Sequence, residues 1–600
     1  MKKHLIIIAS IFLFINSNAQ NREFFIGMFN ESYYSIQQLK ELKSYNFTFC
    51  IYNESENDDY PSILDTANVI GLKLLLKDSN IHFFENDMNN PKIVPVDSSK
   101  IRLSLENNGK KSCVLGYYVD DEPERINFDS IALYFNCIKK YDSTFIRYAN
   151  LLPMYIEAFR ATGNPADSNR GATPADYQNY IQSYIDITSP NILSFDHYPI
   201  FLNSQHSLIK HILWPSNFFY NLDIISKKSV ENNIPFIYVL CPLDTNAVQL
   251  NLPENPKDII YRYPQTPKDS FEFNYVIFSA LIYGVKGLNY WNYDHWNKVT
   301  PNVKNYLSGL HKKIIDNQNV LMNLKFAAAY HKTFYSTIPT KQDLQENIPS
   351  YSAWNNFSND VYANEIFNVS NPIQALSGYS IDSIAISFLT DDIENKYFWI
   401  LNKSMLSTEM LQINLKDGCS IIDIFEGEQC SVTENKIITL APGEAKLFKA
   451  FSDFHANIIH QSTLWDSRRI IGNCIIVDSS SILTITDSIF FLPNAQIIVH
   501  PGGKLIVDGG TLTNACTGEL WQGIFVEGNP SDTTQAENLQ GVVELKNGAV
   551  IQNAVCGINV GLEKLGVAPA MCIVGGGIVR ATDASFINNK KAVEFGPYNR

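Results

Sequence analysis

Val114-Leu115-Gly116-Tyr117-Tyr118-Val119-Asp120-Asp121-Glu122-Pro123 runs from apolar and aromatic residues straight into acid. The apolar part reads as a buried strand, which puts the three carboxylates where that strand opens into a loop. Adjacent carboxylates repel one another, and a chain tolerates them on a solvated turn or in a site that uses raised carboxyl pKa values. Pro123 also suits a first helical turn, where the helix dipole favours acid. Read alone, the stretch fits either a helix N-terminus or a catalytic loop.

On either side of it, from Glu23 to about Lys325, short apolar strands alternate with amphipathic helical stretches. The expected strands are Phe24–Phe29, Phe47–Tyr52, Leu72–Leu76, Cys113–Val119, Thr144–Ala149, Ile192–Phe195, Pro235–Leu240 and Gly287–Trp291. Helical stretches such as Ser35–Ser44, Ile126–Lys140, Pro174–Ile187, Phe218–Asn232 and Phe271–Tyr283 lie between them. Eight strand-helix units fit a (β/α)8 TIM barrel. An open doubly wound sheet fits less well, because no Gly-rich phosphate loop follows the first strand.

Beyond Phe326 the pattern changes to strands without long helices, the signature of an antiparallel β-sandwich over 326–452. After Phe454, short β-rich stretches such as Ile475–Val477, Gln496–Val499 and Val542–Leu545 recur at solenoid-like intervals. They predict a right-handed parallel β-helix-like segment over 453–600. The chain ends without an evident cap, so it reads as a fragment or as a solenoid with an exposed edge.

Six hundred residues exceed one core. The expected division is a signal peptide at 1–19, a barrel at 20–325, a sandwich at 326–452 and the solenoid at 453–600. Lys2 and Lys3 precede the apolar stretch Leu5–Ile15, and Ser17-Asn18-Ala19 supplies small residues for cleavage. The mature chain is therefore expected to be exported, secreted or at the cell surface, with no membrane span. A net charge of −14 without a sustained basic run argues against nucleic acid. Ten cysteines form no CxxC pair and no Cys/His cluster at zinc spacing, so neither a metal nor another cofactor is expected. Cys419 and Cys430 form the expected local disulfide, while Cys50, Cys113, Cys137 and Cys241 read as buried thiols.

In a TIM barrel the site is built from residues that end the strands. These are Asn30 and Glu31, Asn53 and Glu54, Asp78, Asp121 and Glu122, Asn150, Asp196 with His197 and Tyr198, Asp244, and Trp291 with Asn292 and Asp294. The mixture of carboxylates, amides and aromatics suits a glycan or polysaccharide, whose CH faces stack on rings while its hydroxyls need fixed partners.

The barrel resembles the retaining glycoside hydrolases of the β-galactosidase and cellulase type, in which a fourth-strand Asn-Glu or Asn-Glu-Pro carries the acid/base. Asp121-Glu122-Pro123 stands in the corresponding place, so the resemblance implies Glu122 as acid/base with Asp121 in place of Asn. Phe195-Asp196-His197-Tyr198-Pro199 is similar to the sixth-strand motif, and Asn289-Tyr290-Trp291 to the eighth-strand end with its sugar-platform Trp. Trp399-Ile400-Leu401-Asn402-Lys403 and Leu440-Ala441-Pro442-Gly443-Glu444 resemble the small β-domain that follows such barrels. The segment with Pro501-Gly502-Gly503-Lys504-Leu505 and Trp521-Gln522-Gly523-Ile524 is similar to β-helical regions of exported Bacteroidetes-type proteins.

The family's nucleophile follows strand seven, yet Ile234–Leu243 contains no Glu, and Asp244 lies past the expected point. Three readings remain open. Glu122 could act with a more distant base, Asp196, Asp244 or Asp294, across an inverting gap. A barrel without its nucleophile could bind glycans, as in an adhesion protein. Cys241 could be the nucleophile, although it has no evident His/Asp support in sequence and its apolar strand reads as a buried thiol.

Overall fold

The eight parallel strands form in the expected places. They are β1 (Phe25–Phe29), β2 (Phe49–Asn53), β3 (Lys73–Lys77), β4 (Val114–Asp121), β5 (Ile146–Asn150), β6 (Leu193–Asp196), β7 (Phe236–Leu240) and β8 (Gly287–Trp291). This computed structural model describes residues 23–29, 34–53, 60–81, 97–109, 111–154, 156–202, 211–213, 215–241, 269–331, 354–376, 383–392, 395–404, 407–416, 419–425, 430–431, 435–452, 457–516, 518–529, 534–561 and 576–596. The expected signal peptide lies outside them.

Strand order runs β5-β4-β3-β2-β1-β8-β7-β6, all parallel. A parallel bridge between Leu151 and Phe195 joins the two ends, with Leu151 N donating to Ser194 O at 2.7 Å. The sheet is therefore closed into a (β/α)8 barrel. Strands buried on both faces explain the continuous apolar runs that made them legible.

Inside the barrel, Phe29, Phe49, Ile51, Leu75, Tyr118, Ile146, Tyr148, Ile192 and Ile237 form one cluster. Gly27 is required there, because a Cβ on it would collide with the Phe49 ring. Outside, helices complete the cover, and their starts follow the capping rules. Ser35 and Gln38 form a capping box, Thr173 and Asp176 form another ahead of Pro174, and Asp269 caps the helix Ser270–Ile282. That last helix is apolar nearly all round because it is buried on all sides. Phe278 on it packs edge-on against Trp399 of the next sheet, centroids 6.2 Å apart.

Residues 325–452 build two antiparallel sheets. The larger orders Lys325–His331, Ile384–Thr390, Lys396–Asn402, Ala445–Ser452, Cys419–Asp423 and Cys430–Ser431, and the smaller orders Ile373–Ala375, Glu409–Asn414 and Asn435–Leu440. Phe388, Phe398, Ile400 and Phe448 from the larger meet Leu411, Ile413, Ile438 and Leu440 from the smaller in one cluster. The expected Cys419–Cys430 disulfide is not formed. Strand register sets Cys430 opposite Ile422 and Cys419 opposite Ser452, and the Cys419 thiol donates to Glu365 O at 3.1 Å. Cys516 is the cysteine found in a disulfide.

Residues 457–596 form three parallel sheets of six, five and five strands, and each strand pairs with the one three places later. Like sits on like across the turns: Ile475 beside Ile497, Val477 beside Val499, Leu483 beside Leu505. Their inward residues make a continuous apolar column. Sequence reading found strands of the first two sheets and missed the third, which comprises Arg469–Ile471, Ser488–Phe491, Thr511–Asn514, Ala549–Gln552 and Ala584–Ile587.

Candidate active site

The acidic end of β4 is sorted by a bulge. Tyr118 pairs with Tyr148, but Asp120 then pairs with Ala149 and Asp121 with Asn150. Strict alternation would put Tyr118 and Asp120 on one face, whereas the extra residue puts Tyr118 and Asp121 there. Asp120 is consequently buried behind the sheet, where its charge acts on Tyr134 and Tyr184 of the covering helices. Asp121 points into the barrel mouth and bonds the Tyr118 hydroxyl.

Asn150 ties that acid to a second one. Its Nδ2 donates to Asp121 Oδ1 at 3.3 Å and to Asp196 Oδ1 at 3.0 Å. Its Oδ1 accepts from Ser194 Oγ at 3.0 Å, Ser194 accepts from the Tyr148 hydroxyl at 2.5 Å, and Asn289 Nδ2 donates to that hydroxyl at 3.5 Å. With its NH2 toward the two carboxyl groups, Asn150 satisfies both acids and accepts from Ser194.

Asp196 is 4% exposed. Burial, then the charges of Glu122 and Asp121, push its pKa well above the ordinary carboxylate range. It therefore keeps its proton to higher pH than an ordinary carboxyl group, a perturbation concentrated at functional sites. Glu122 stands at the rim with φ of +52°, a left-handed conformation that a non-glycine residue adopts at a cost of about 1 kcal/mol or more. Its N–H donates to Asn150 O at 2.7 Å, which holds that turn. Arg160 lies 4.0 Å from Glu122 Oε2 and donates to Glu124 Oε1 at 3.0 Å.

Aromatic residues stand at the ends of neighbouring strands, Tyr198 just past β6 and Trp291 ending β8. The Tyr198 and Trp291 rings are 6.3 Å apart, and His295 meets Trp291 edge-on at 5.7 Å. Cys241, the residue after β7, places its Sγ 3.6 Å from His295 Nδ1. The support for this thiol is real but 54 residues away in the chain, beyond the reach of a local motif. Lys77 Nζ lies 5.9 Å from the Tyr118 ring centroid.

Of the expected residues, the structure brings together Asp121, Glu122, Asn150 and Asp196, with Tyr198 and Trp291 beside them. His197 is not in the mouth: it is fully buried behind β6 against Phe218, and its carbonyl accepts the Tyr238 hydroxyl. Alternation decides this, since Asp196 already occupies the inward position. Asp78 is likewise turned outward, accepting from Asn80 N, Ser104 Oγ and Asn108 Nδ2, while Lys77 takes the inward place. Asp294 is exposed in the first turn of the helix Tyr293–Lys298, where acid suits the dipole. Glu31 and Asp244 lie outside the described residues, as do Asn30 and Glu54. Sequence reading missed Lys77, Ser194, Tyr148, Asn289 and His295. Strand alternation would have exposed all but His295.

Among the described residues, no group of three or more His, Cys, Asp or Glu side chains is arranged to hold a metal ion. No helix among them is long and apolar enough to cross a membrane.

No family model matches this chain, and no curated protein matches it. Among solved structures it is similar to a GH27 β-L-arabinopyranosidase from Geobacillus stearothermophilus, with 12% identity over 72% of this chain and 96% of that one, at a TM-score of 0.36. A β-1,4-D-mannanase from Cryptopygus antarcticus gives 12% identity over 48% and 90%, at 0.26. A GH2 β-galacturonidase from Eisenbergiella tayi gives 11% over 48% and 51%, at 0.28. These are likenesses of fold at low scores, and the (β/α)8 barrel itself rests on its strand order and its closing bridge.

Proposed function

We propose that the protein is an exported glycoside hydrolase-like enzyme that cleaves a glycan or polysaccharide at the barrel mouth, with Asp196 as general acid and Asp121 as the opposing carboxylate. The observation that carries this reading is the Asp121–Asn150–Asp196 bridge, in which one carboxyl group is buried with a raised pKa and the other opens to solvent. A proton donor that works at neutral pH needs such a raised pKa.

Two carboxyl oxygens held by one NH2 are at most two hydrogen-bond lengths apart, about 6 Å. That agrees with the spacing of about 5–5.5 Å in retaining enzymes rather than the 6.5–9.5 Å of inverting ones. In the first step the Asp196 proton passes to the glycosidic oxygen as its bond to the anomeric carbon breaks, and an Asp121 oxygen bonds that carbon. In the second, Asp196 takes a proton from water, and the resulting hydroxide displaces Asp121. Glu122, implied as the acid/base by resemblance, is assigned a supporting role: from the rim its charge keeps Asp196 protonated. Tyr198 and Trp291 offer ring surface to the sugar, and Asn150 fixes the pair.

The remainder of the chain supports display. We read residues 326–452 as a β-sandwich packed on a barrel of about 20–325, and 453–600 as a right-handed parallel β-helix serving as spacer or binding arm. The shared core of the two antiparallel sheets and the every-third-strand pairing support those two readings.

One observation favours a second reading, glycan binding without turnover: β7 is followed by Cys241 where the resemblance implies a glutamate. A hydrolysis screen over a glycan library, comparing wild type with Asp121→Asn, Asp196→Asn and Glu122→Gln, separates the two. Turnover with retained anomeric configuration, lost in Asp121→Asn and Asp196→Asn, supports the enzyme. Binding in every variant with turnover in none supports the second reading.

A further inference from the structure

Away from the barrel mouth, a cavity of about 240 Å³ opens where three parts of the chain meet. Its walls are the end of the helix Pro301–Asp316, the edge of the larger antiparallel sheet around Asp391 and Lys449, and the first turn of the parallel stack around Trp465–Ile471. Three cations line it: Lys449, Arg468 and Arg469. None forms an ion pair among the described residues. Each lies instead over a ring, Arg468 at 4.4 Å from Phe490, Arg469 at 4.9 Å from Trp465 and Lys449 at 5.7 Å from Tyr397.

A guanidinium over a ring is held in place while N–H groups stay available to an acceptor. Arg469 Nε is buried without a hydrogen-bond acceptor among the described residues. A buried donor left so costs about 1–3 kcal/mol. Four acids also line the cavity, but each has partners of its own. Asp316 binds Lys312 at 2.8 Å, Asp392 binds Lys325 at 2.8 Å and Asp423 binds Lys446 at 3.2 Å. Asp391 accepts from Asn395 N at 2.9 Å and from Asn395 Nδ2 at 2.7 Å. Asp391 also acts on Lys449 and, with Asp466, on Arg469, which leaves Arg468 as the lining cation whose charge is most available to a ligand, in a chain whose net charge is −14.

An open groove continues from this cavity past Asp316, Asn317 and Arg468 to Lys313, another cation without an ion pair among the described residues, which lies 5.4 Å over Phe425. The space admits one ring-sized molecule, being smaller than the usual 300–1,000 Å³ of larger ligand sites. Asn317, Asn319, Asn395 and Asn457 along the wall are suited to hydroxyls, as amides both donate and accept. We propose that this junction binds an acidic sugar, seating a carboxylate or sulfate on Arg468 and Arg469 and its ring hydroxyls on the surrounding asparagines. A sugar chain extending from that ring would leave along the groove past Lys313.

The test is calorimetric titration of the full chain with four probes: galacturonate oligomers, a galactose sulfate, neutral galacto-oligosaccharides and inorganic sulfate. The proposal expects an acidic sugar to bind at least tenfold more tightly than the neutral one and than sulfate alone, and the two acidic arms identify which oxyanion is taken. Arg468→Gln, an exposed residue, should weaken that binding tenfold or more and flatten its salt dependence, and Lys313→Gln should weaken only the longer oligomers. Asp196→Asn should leave this binding unchanged, which separates it from the barrel site. No acidic-sugar binding at millimolar concentration, equal binding of neutral sugar, or full binding by Arg468→Gln would overturn the proposal.

Discussion

The barrel and the stack at 457–596 are both made of parallel strands around an apolar interior, yet those interiors differ. Along each turn of the stack the inward positions remain apolar, as in Ile475, Val477, Leu483, Ile485, Ile497, Val499, Leu505 and Val507. In the barrel the inward positions are apolar through the middle, with Phe29, Ile51, Tyr118, Tyr148 and Ile237. They then turn polar at the strand ends, with Lys77, Asp121, Asn150 and Asp196. A closed interior with no polar layer can only stack, whereas an interior that ends in hydrogen-bonded acids can hold a proton where chemistry needs it.

Removing the proton donor should break the comparison most strongly. Asp196→Asn is expected to lower turnover on an unactivated glycan by about 10²–10⁴, measured by steady-state kinetics, without loss of fold. The corresponding injury to the stack is structural. Trp521 is fully buried, its ring 4.1 Å from Phe491, and Trp521→Ala should cost about 3–5 kcal/mol in chemical unfolding of that region while leaving turnover unchanged.

Two of the buried titrating groups of the barrel, Asp196 and His311, give opposite pH slopes. The unfolded chain releases the Asp196 proton in the ordinary carboxylate range, but the folded chain keeps it to higher pH. Stability therefore falls as pH rises through that window, and Asp196→Asn should melt higher than wild type at neutral pH. His311, bonded to the Tyr290 hydroxyl and Tyr45 O, is pushed down by burial from 6.5 to about 4. Between those values the unfolded chain gains a proton that the folded one refuses, so acidification lowers stability, and a melting series from pH 7 to 4 checks it. The smallest expected effect is Ile551→Val in the stack, about 0.5–1.5 kcal/mol in the same unfolding assay.

The strand order of the barrel was legible because strands covered on both faces leave unbroken apolar runs, and helices between them keep their own period. Which acid of Asp120-Asp121-Glu122 enters the mouth was not, because three acids in a row carry no alternation and the bulge after Tyr118 makes the choice. His295 was missed because it reaches Cys241 only through the closure of β7 onto β8. The disulfide expectation failed for a related reason: proximity in sequence, Cys419 to Cys430, was overruled by strand register. In the stack, the third sheet escaped notice where its strands carry few apolar residues, as in Thr511–Asn514, which holds Leu512 alone.

A leaving-group series tests the neutral Asp196 most directly. Wild type and Asp196→Asn are compared on aryl glycosides whose phenols range from poor to excellent leaving groups. If Asp196 donates the proton, the variant loses activity steeply on poor leaving groups and keeps the first step on dinitrophenyl glycosides, which need no protonation. An equal loss across the series, or no loss at all, would contradict its assignment as the acid.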